Sequence, residues 1–551
     1  MIKKIINAKT QSVATSAIII SIAALASKFL GLIRDGLVSG YFGTSSLADV
    51  YFTAFKIPDF IFNFLIAGGL SIVFLPVFSE YMHKEKEEAW KMVNNVLNVF
   101  LFFVILLCLI AFVFAEKMIS IAFPGFSGES FKMLVSLTRI LLLSPIFFSF
   151  SSIFSSILMY FEKFFIYSFA PLIYNFFIIL GIIFIAPKYS IYGPAIGAVF
   201  GALAHFLIQV PSAIESGYKY KFIFNFKESG IKKIFTLMIP RTIASAGQQI
   251  NELIITGIAS TLAVGSIAVF NYANNIRSLP IGFFSIPLSI AVFPALSKAW
   301  AANNDSLFIK ELSLSLRRLL FFIIPVSALI FVFRAQIVRL IFGTLGHKGS
   351  FDWLATQLTA SSVGIFIFGS IGSCMIPILA RAFFASKDTK TPTIISLLCI
   401  ALNIGLLIYF ISVLGQGAIF EQALRKIMDL ESIKDISVLA IALATAFSST
   451  IQAILLIIFL DKKIKGILCK DNWIFIFKVC IALFFLISSS YAFLRIFEQV
   501  FDNKTVAGLF FQTGFSSLAG IGIYLIIGYI LKIREANELS NYFSRKFLRK
   551  A

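Results

Sequence analysis

The chain has 551 residues, of which 59% are hydrophobic and only 13% charged, with 47 Lys and Arg against 27 Asp and Glu. No soluble domain of this length has a mean hydropathy of +0.94. About fourteen apolar runs of ~20 residues use roughly half the chain and leave short connectors plus one longer stretch near 415 to 437, which excludes a sizeable soluble domain.

The predicted spans of the first half run from 12 to 33, 47 to 79, 95 to 115, 134 to 159, 164 to 186 and 191 to 214. They continue at 231 to 260, 266 to 296, 315 to 333, 355 to 384, 391 to 414, 437 to 460, 473 to 494 and 507 to 531. Ala24-Leu25-Ala26 in the first span resembles a signal-peptidase site, but the apolar segment is longer than a signal core and runs on into a charged motif, so the span is expected to be retained. Pro58 and Pro76 in the second span, and Pro280, Pro287 and Pro294 in the eighth, each remove a backbone donor and predict bending.

An ionisable group in hydrocarbon is costly unless it meets a partner or a cavity, so charges inside spans are the first functional candidates. The first span carries Lys28, Arg34 and Asp35, with Lys28 and Asp35 seven apart on one face; the alternative is interfacial anchoring. In the second, Lys56, Asp59 and Asn63 form one polar stripe, although a Lys and an Asp three apart can simply neutralise each other. The seventh has Arg241, Ser245, Gln248 and Glu252 at i, i+4, i+7 and i+11, and the eighth has Asn271, Asn274, Asn275 and Ser278 beside Arg277. These stripes predict either a polar cavity of cationic character or hydrogen bonds between helices. Arg139 and Lys478, near span ends, are read as snorkelling.

The net charge of +20 invites a nucleic-acid reading, but its placement argues against one. With connectors assigned alternately to two sides, about 29 Lys and Arg fall on one side, about 11 on the other and about seven inside spans. The basic side is the cytoplasm, and both termini fall on it. Five cysteines without paired spacing and three histidines without ligand partners suggest neither disulfides nor a metal centre.

The chain also repeats itself. Ile157-Leu158 to Pro171 and Ile378-Leu379 to Pro392 lie 221 residues apart at both ends, and Pro58 and Pro76 correspond to Pro280 and Pro294. The expected fold is therefore an all-α polytopic membrane protein of two parallel six-helix repeats forming two lobes, plus two extra C-terminal helices. Its expected parts are an N-lobe over 1–218, a C-lobe over 219–465, accessory helices over 466–531 and a basic tail over 532–551.

SKFLGLIRDGLVSGYFG at 27 to 43, ADVYFTAFKIPDF at 48 to 60, FLPVFSEY at 74 to 81 and ARAFFASKDTKTP at 380 to 392 together resemble the signature of the MurJ/MviN lipid II flippases. IPRTIASAGQQIN at 239 to 251 and the stretch 270 to 298 fit the same pattern. The resemblance implies membership of the multidrug/oligosaccharidyl-lipid/polysaccharide exporter superfamily. It implies outward movement of undecaprenyl-diphosphate-linked peptidoglycan precursor across the bacterial inner membrane by alternating access. It also implies a cationic central cavity for the diphosphate, a groove at the last two helices for the polyprenyl tail, and Arg34, Asp35 and Lys28 at matching positions. Arginines typical of spans two and eight fall here on Phe62 or Asn63 and on Asn275, and an acidic residue linked to sodium in span seven falls on Ile255.

No cofactor is expected beyond a coupling ion, sodium or proton, or the membrane potential. Expected partners are the lipid-linked precursor, membrane lipids and the cell-wall synthesis machinery, with no nucleic acid. The alternatives are export of another polyprenyl-diphosphate oligosaccharide or ion-coupled export of a cation. Membrane-bound glycosyl transfer is disfavoured, because Glu421, Asp429, Glu431 and Asp435 in the long connector form no catalytic pair.

Overall fold

The structure is a computed structural model that describes residues 13–344, 350–467, 469–502, 505–539 and 541. Every regular element among them is helical, and the chain divides into two compact units, Met1–Ala268 with Leu345–Phe351 and Val269–Thr344 with Asp352–Ala551. Eleven helices among the described residues are long and apolar enough to cross a membrane, one for each expected span except those at 12–33, 47–79 and 231–260. Those three carry most of the predicted polar stripes.

The first unit starts with α1 (Val13–Phe42) and a broken second helix. This comprises α2 (Ser46–Ala54), α3 (Lys56–Phe62), a π-helical run Asn63–Leu70 and α4 (Ser71–Lys84). The break at Phe55 follows from Pro58, which lacks the amide that would bond the Ala54 carbonyl. Then come α5 (Lys86–Val113), α6 (Ala115–Ala122), α7 (Gly128–Leu141), α8 (Leu143–Tyr160), α9 (Phe164–Leu180), α10 (Ala186–Tyr189), α11 (Tyr192–Leu207), α12 (Val210–Glu215) and α13 (Ser229–Ser260). Small residues let α9 and α11 touch backbone to backbone: a Cβ on Gly197 would stand 2.6 Å from the Phe177 carbonyl oxygen.

The connector after α12 is strapped to α5 by three asparagines. Asn94 Nδ2 donates to the Lys219 carbonyl (2.9 Å), Asn98 Nδ2 to that of Ile223 (3.0 Å) and Asn95 Nδ2 to that of Asn225 (2.8 Å). The strap and α13 thus pack within the first compact unit, whose limit falls at 268, whereas the lobe boundary expected from the repeat lies at 218. The first describes where side chains pack and the second where the sequence repeats, so the two need not coincide.

In the second unit, α14 (Ser266–Pro280) runs into a π turn at Ile281–Ser285 and α15 (Ile286–Ala301), followed by α16 (Asp305–Val332), α17 (Arg334–Phe342) and α18 (Trp353–Ala385). Next come α19 (Lys390–Leu414), an amphipathic α20 (Ile419–Met428) inside the long connector, and α21 (Leu439–Ile464). The unit ends with α22 (Lys470–Glu498) and α23 (Val506–Ile530). Its core is built on α18, where a Cβ on Gly369 would lie 2.3 Å from the Ala446 Cα of α21. Val479, Leu486 and Tyr524 of the last two helices pack with Phe321, and the Tyr524 hydroxyl donates to the Phe321 carbonyl at 3.0 Å. Most of the basic tail lies outside the described residues.

The order of elements recurs between the halves. A helix interrupted by a π run occupies 46–84 and again 266–301; a 28-residue helix follows at Lys86–Val113 and at Asp305–Val332; each is succeeded by a short helix, α6 or α17. The turns before α9 and α19 both hold a residue at positive φ, Glu162 (58°) and Lys387 (59°). Each turn is also clamped by a lysine: Lys163 donates to Glu215 (3.1 Å) and the Ser212 carbonyl (3.1 Å), Lys463 to Ser386 (2.9 Å) and Asp388 (3.4 Å).

Candidate functional site

In the first unit the polar side chains converge on α1, α3, α9 and α13. Arg34 donates through Nε to Asp35 Oδ1 at 2.9 Å, through Nη2 at 2.8 Å to the same oxygen, and through Nη1 to Asn175 Oδ1 at 2.9 Å. Asn175 is itself fixed by its amide, which donates to the Pro171 carbonyl (3.2 Å) and to Ser27 Oγ (3.3 Å). Because Asn175 sits in the middle of the apolar run of α9, the guanidinium is held at bilayer depth rather than as an interfacial anchor. Asp35 is 3% exposed, so its charge depends on that guanidinium.

On the neighbouring α3, Lys56 pairs with Glu252 of α13 at 3.3 Å instead of neutralising itself on Asp59. Asp59 stays exposed and within electrostatic reach of Lys56, Glu252 and Arg34. Asn63, the first residue of the π run, donates to Gln249 Oε1 at 3.4 Å. A π run widens the helix by one residue and re-aims its side chains, a feature concentrated at functional sites. Here it brings Gly69 so close to α13 that a Cβ would stand 2.0 Å from Met238 Cγ and 2.6 Å from Thr242 Oγ1.

The second unit holds a separate cluster. Arg277 of α14 donates to Asn274 Oδ1 (3.2 Å) and, from Nη2, to Ser373 Oγ on α18 (3.1 Å), while its guanidinium lies 5.2 Å from the Phe366 ring centre. Asn275 is half-buried, and its carbonyl accepts from Ser278.

The structure thus brings Arg34 together with Asp35 and sets Lys56 and Asn63 of the second-span stripe against the helix that carries Glu252, two stripes the sequence reading kept apart. Lys28 is exposed, although it shares a helical face with buried Asp35, because the two lie two turns apart along α1. Gln248 is exposed as well, although it lies only ~40° round the helix from Glu252; Asn63 instead meets Gln249, ~60° from Glu252 on the other side. Arg241 falls outside the described side chains. Asn175 and Gln249 were not anticipated; a single amide amid the apolar residues 164 to 186 was the available signal for the first.

Among the described side chains of the seam, the two cations Arg34 and Lys56 are each paired with a carboxylate, Asp35 and Glu252, and Asp59 adds a third carboxylate nearby. Clusters of three or more His, Cys, Asp or Glu able to hold a metal ion do not occur among the described residues.

The sequence profile of the family described as lipid II flippase MurJ matches residues 38–512. The chain belongs to the lipid II flippase MurJ family. A curated relative from Borreliella burgdorferi, a probable lipid II flippase MurJ, is 29% identical over 404 residues, covering 73% of this chain and 79% of the relative. Another from Buchnera aphidicola subsp. Schizaphis graminum is 28% identical over 551 residues, covering 96% and 99%. Among solved structures, a lipid II flippase MurJ in an inward closed conformation superposes with a TM-score of 0.73 at 27% identity, over 93% of this chain and 98% of that one. A multidrug resistance MATE family transporter of the MOP superfamily shares the fold, with a TM-score of 0.63 at 14% identity, over 82% of this chain and 98% of that one. The MurJ family is one of transporters, and this member is a multi-pass membrane protein.

Proposed function

We propose that this protein is a flippase that carries lipid II, the lipid-linked peptidoglycan precursor, across the bacterial inner membrane. Membership of the MurJ family over residues 38–512 supports the substrate class, and the observation that gives it a mechanism is the polar seam held at bilayer depth by Arg34, Asp35 and Asn175. A diphosphate entering such a partly dry site competes with Asp35 for the guanidinium, and charge-assisted hydrogen bonds of this kind are about twice as strong as neutral ones. Release follows when Asp35 takes the guanidinium back. Two six-helix lobes rocking against each other supply alternating access in this reading, with sodium, protons or the membrane potential as the energy source and both termini in the cytoplasm. The last two helices, α22 and α23, receive the polyprenyl tail, and cell-wall synthases are the expected recipients of the product.

Depletion of the protein in cells without another flippase tests this directly. Lipid II reachable from the cell surface should fall in step with the protein; undiminished surface lipid II rejects the proposal. The pairing of both described seam cations with carboxylates favours a second reading, export of a different polyprenyl-diphosphate oligosaccharide, which predicts unchanged surface lipid II but loss of another glycan.

A further inference from the structure

A cavity of about 950 Å³ lies within the first unit, away from the polar seam, between the C-terminal half of α5, α6, and the α7–α8 pair. Its volume is that of a site for a sizeable organic ligand. Two apolar walls face each other across it: Leu109 and Phe112 on α5, and Leu143 and Ile146 on α8, of which Leu109, Phe112 and Leu143 are also exposed outward, so the cavity opens sideways toward lipid. Beside the apolar walls stand two cations, Lys132 and Arg139, seven residues and about 10 Å apart along one face of α7. Arg139 donates to the Phe112 carbonyl (3.1 Å) and reaches Glu116 at only 3.4 Å, while Lys132 is exposed. Two positive groups against one carboxylate leave the rim with an excess of one positive charge.

We propose that this cleft binds one anionic glycerophospholipid, its phosphate between Lys132 and Arg139 and its acyl chains along the α5 and α8 walls. A sideways-open apolar slot with a singly positive rim complements a singly charged, chain-bearing molecule of the surrounding bilayer. Snorkelling accounts for Arg139 alone; it does not account for a second cation two turns away on the same wall of a cavity. The short α6 beside the site is tied to the helix that carries Glu252. A Cβ on Gly125, just after α6, would stand 1.7 Å from the Ser260 carbonyl oxygen, and one on Gly257 of α13 would stand 2.4 Å from that of Ala122.

The test is native mass spectrometry of the purified, delipidated full chain titrated with phosphatidylglycerol or phosphatidylcholine. The wild type should retain phosphatidylglycerol in preference, and Lys132→Gln should lower that retention about fivefold, the worth of one basic residue near an anionic headgroup. Arg139→Lys, which keeps the charge, should retain most of it, and Leu143→Trp, which fills the slot, should reduce binding of both lipids. Equal retention of the two lipids by the wild type overturns the proposal. So does a loss as large in Lys219→Gln, on the strap far along the chain, as in Lys132→Gln, since that would make the effect one of overall charge.

Discussion

Arg34 and Asp35 are adjacent in sequence, yet their bond matters because both are withdrawn from water and Asn175 closes the guanidinium's third side. Removing one member strands the other. Arg34→Ala is expected to destabilise the protein by about 3–5 kcal/mol, read as the unfolding midpoint in detergent, and Arg34→Ala with Asp35→Asn should recover a substantial part of that loss. Asp388, in the turn before α19, gives a prediction in pH. Burial alone would raise its carboxyl, but the Thr391 amide and hydroxyl and the Lys463 ammonium outweigh burial and hold it below the usual range. A depressed folded value means that the stabilisation is complete above the ordinary carboxylate range, near ~3.9, and disappears as pH falls through the depressed value. The melting-temperature gap between wild type and Asp388→Asn should therefore hold steady from pH 7 to about pH 5 and close in stronger acid. The same residue explains part of the sequence signature ASKDTKTP: Asp388 satisfies the first turn of α19, a structural duty that a motif search reads only as family likeness.

At the scale of elements, the long apolar helices were legible because twenty unbroken apolar residues permit little else in a bilayer. The π runs were not. Prolines announced bending in the second and eighth spans, but nothing in NFLIAGGL specifies that residues 63–70 widen by one residue per turn; that follows from packing against α13. Gly69 is the permissive residue there. Gly69→Val should cost about 1–3 kcal/mol through overpacking against Met238 and Thr242 and should break the Asn63–Gln249 contact. A melting temperature unchanged from wild type would show that the run has room to move away from α13. The α13 stripe shows the same limit on a finer scale: periodicity found the polar face to within one residue, and one residue is enough to exchange Gln249 for Gln248.

For the whole molecule, charge placement and repetition carried the sequence reading furthest. The expected topology predicts that Lys221→Cys, on the strap, stays unreactive toward an impermeant maleimide in intact cells, whereas Lys426→Cys, on α20, is labelled. The opposite pattern would invert the assigned sidedness. What repetition could not convey is how each copy solves the same local problem. The 28-residue helices α5 and α16 both end beside a guanidinium that donates to a phenylalanine carbonyl and lies over that ring: Arg139 at Phe112, 5.3 Å from its centre, and Arg334 at Phe331, 4.9 Å from its centre. The arginines come from different places. Shifted by the 225 residues that separate Gly128 from Trp353, Arg139 lands on Gly364, whose missing side chain leaves room for Arg334; shifted back by the 219 that separate Lys86 from Asp305, Arg334 lands on Ala115. A tolerance profile from saturation mutagenesis would consequently show two peaks of matching height out of register, and averaging the halves would erase both.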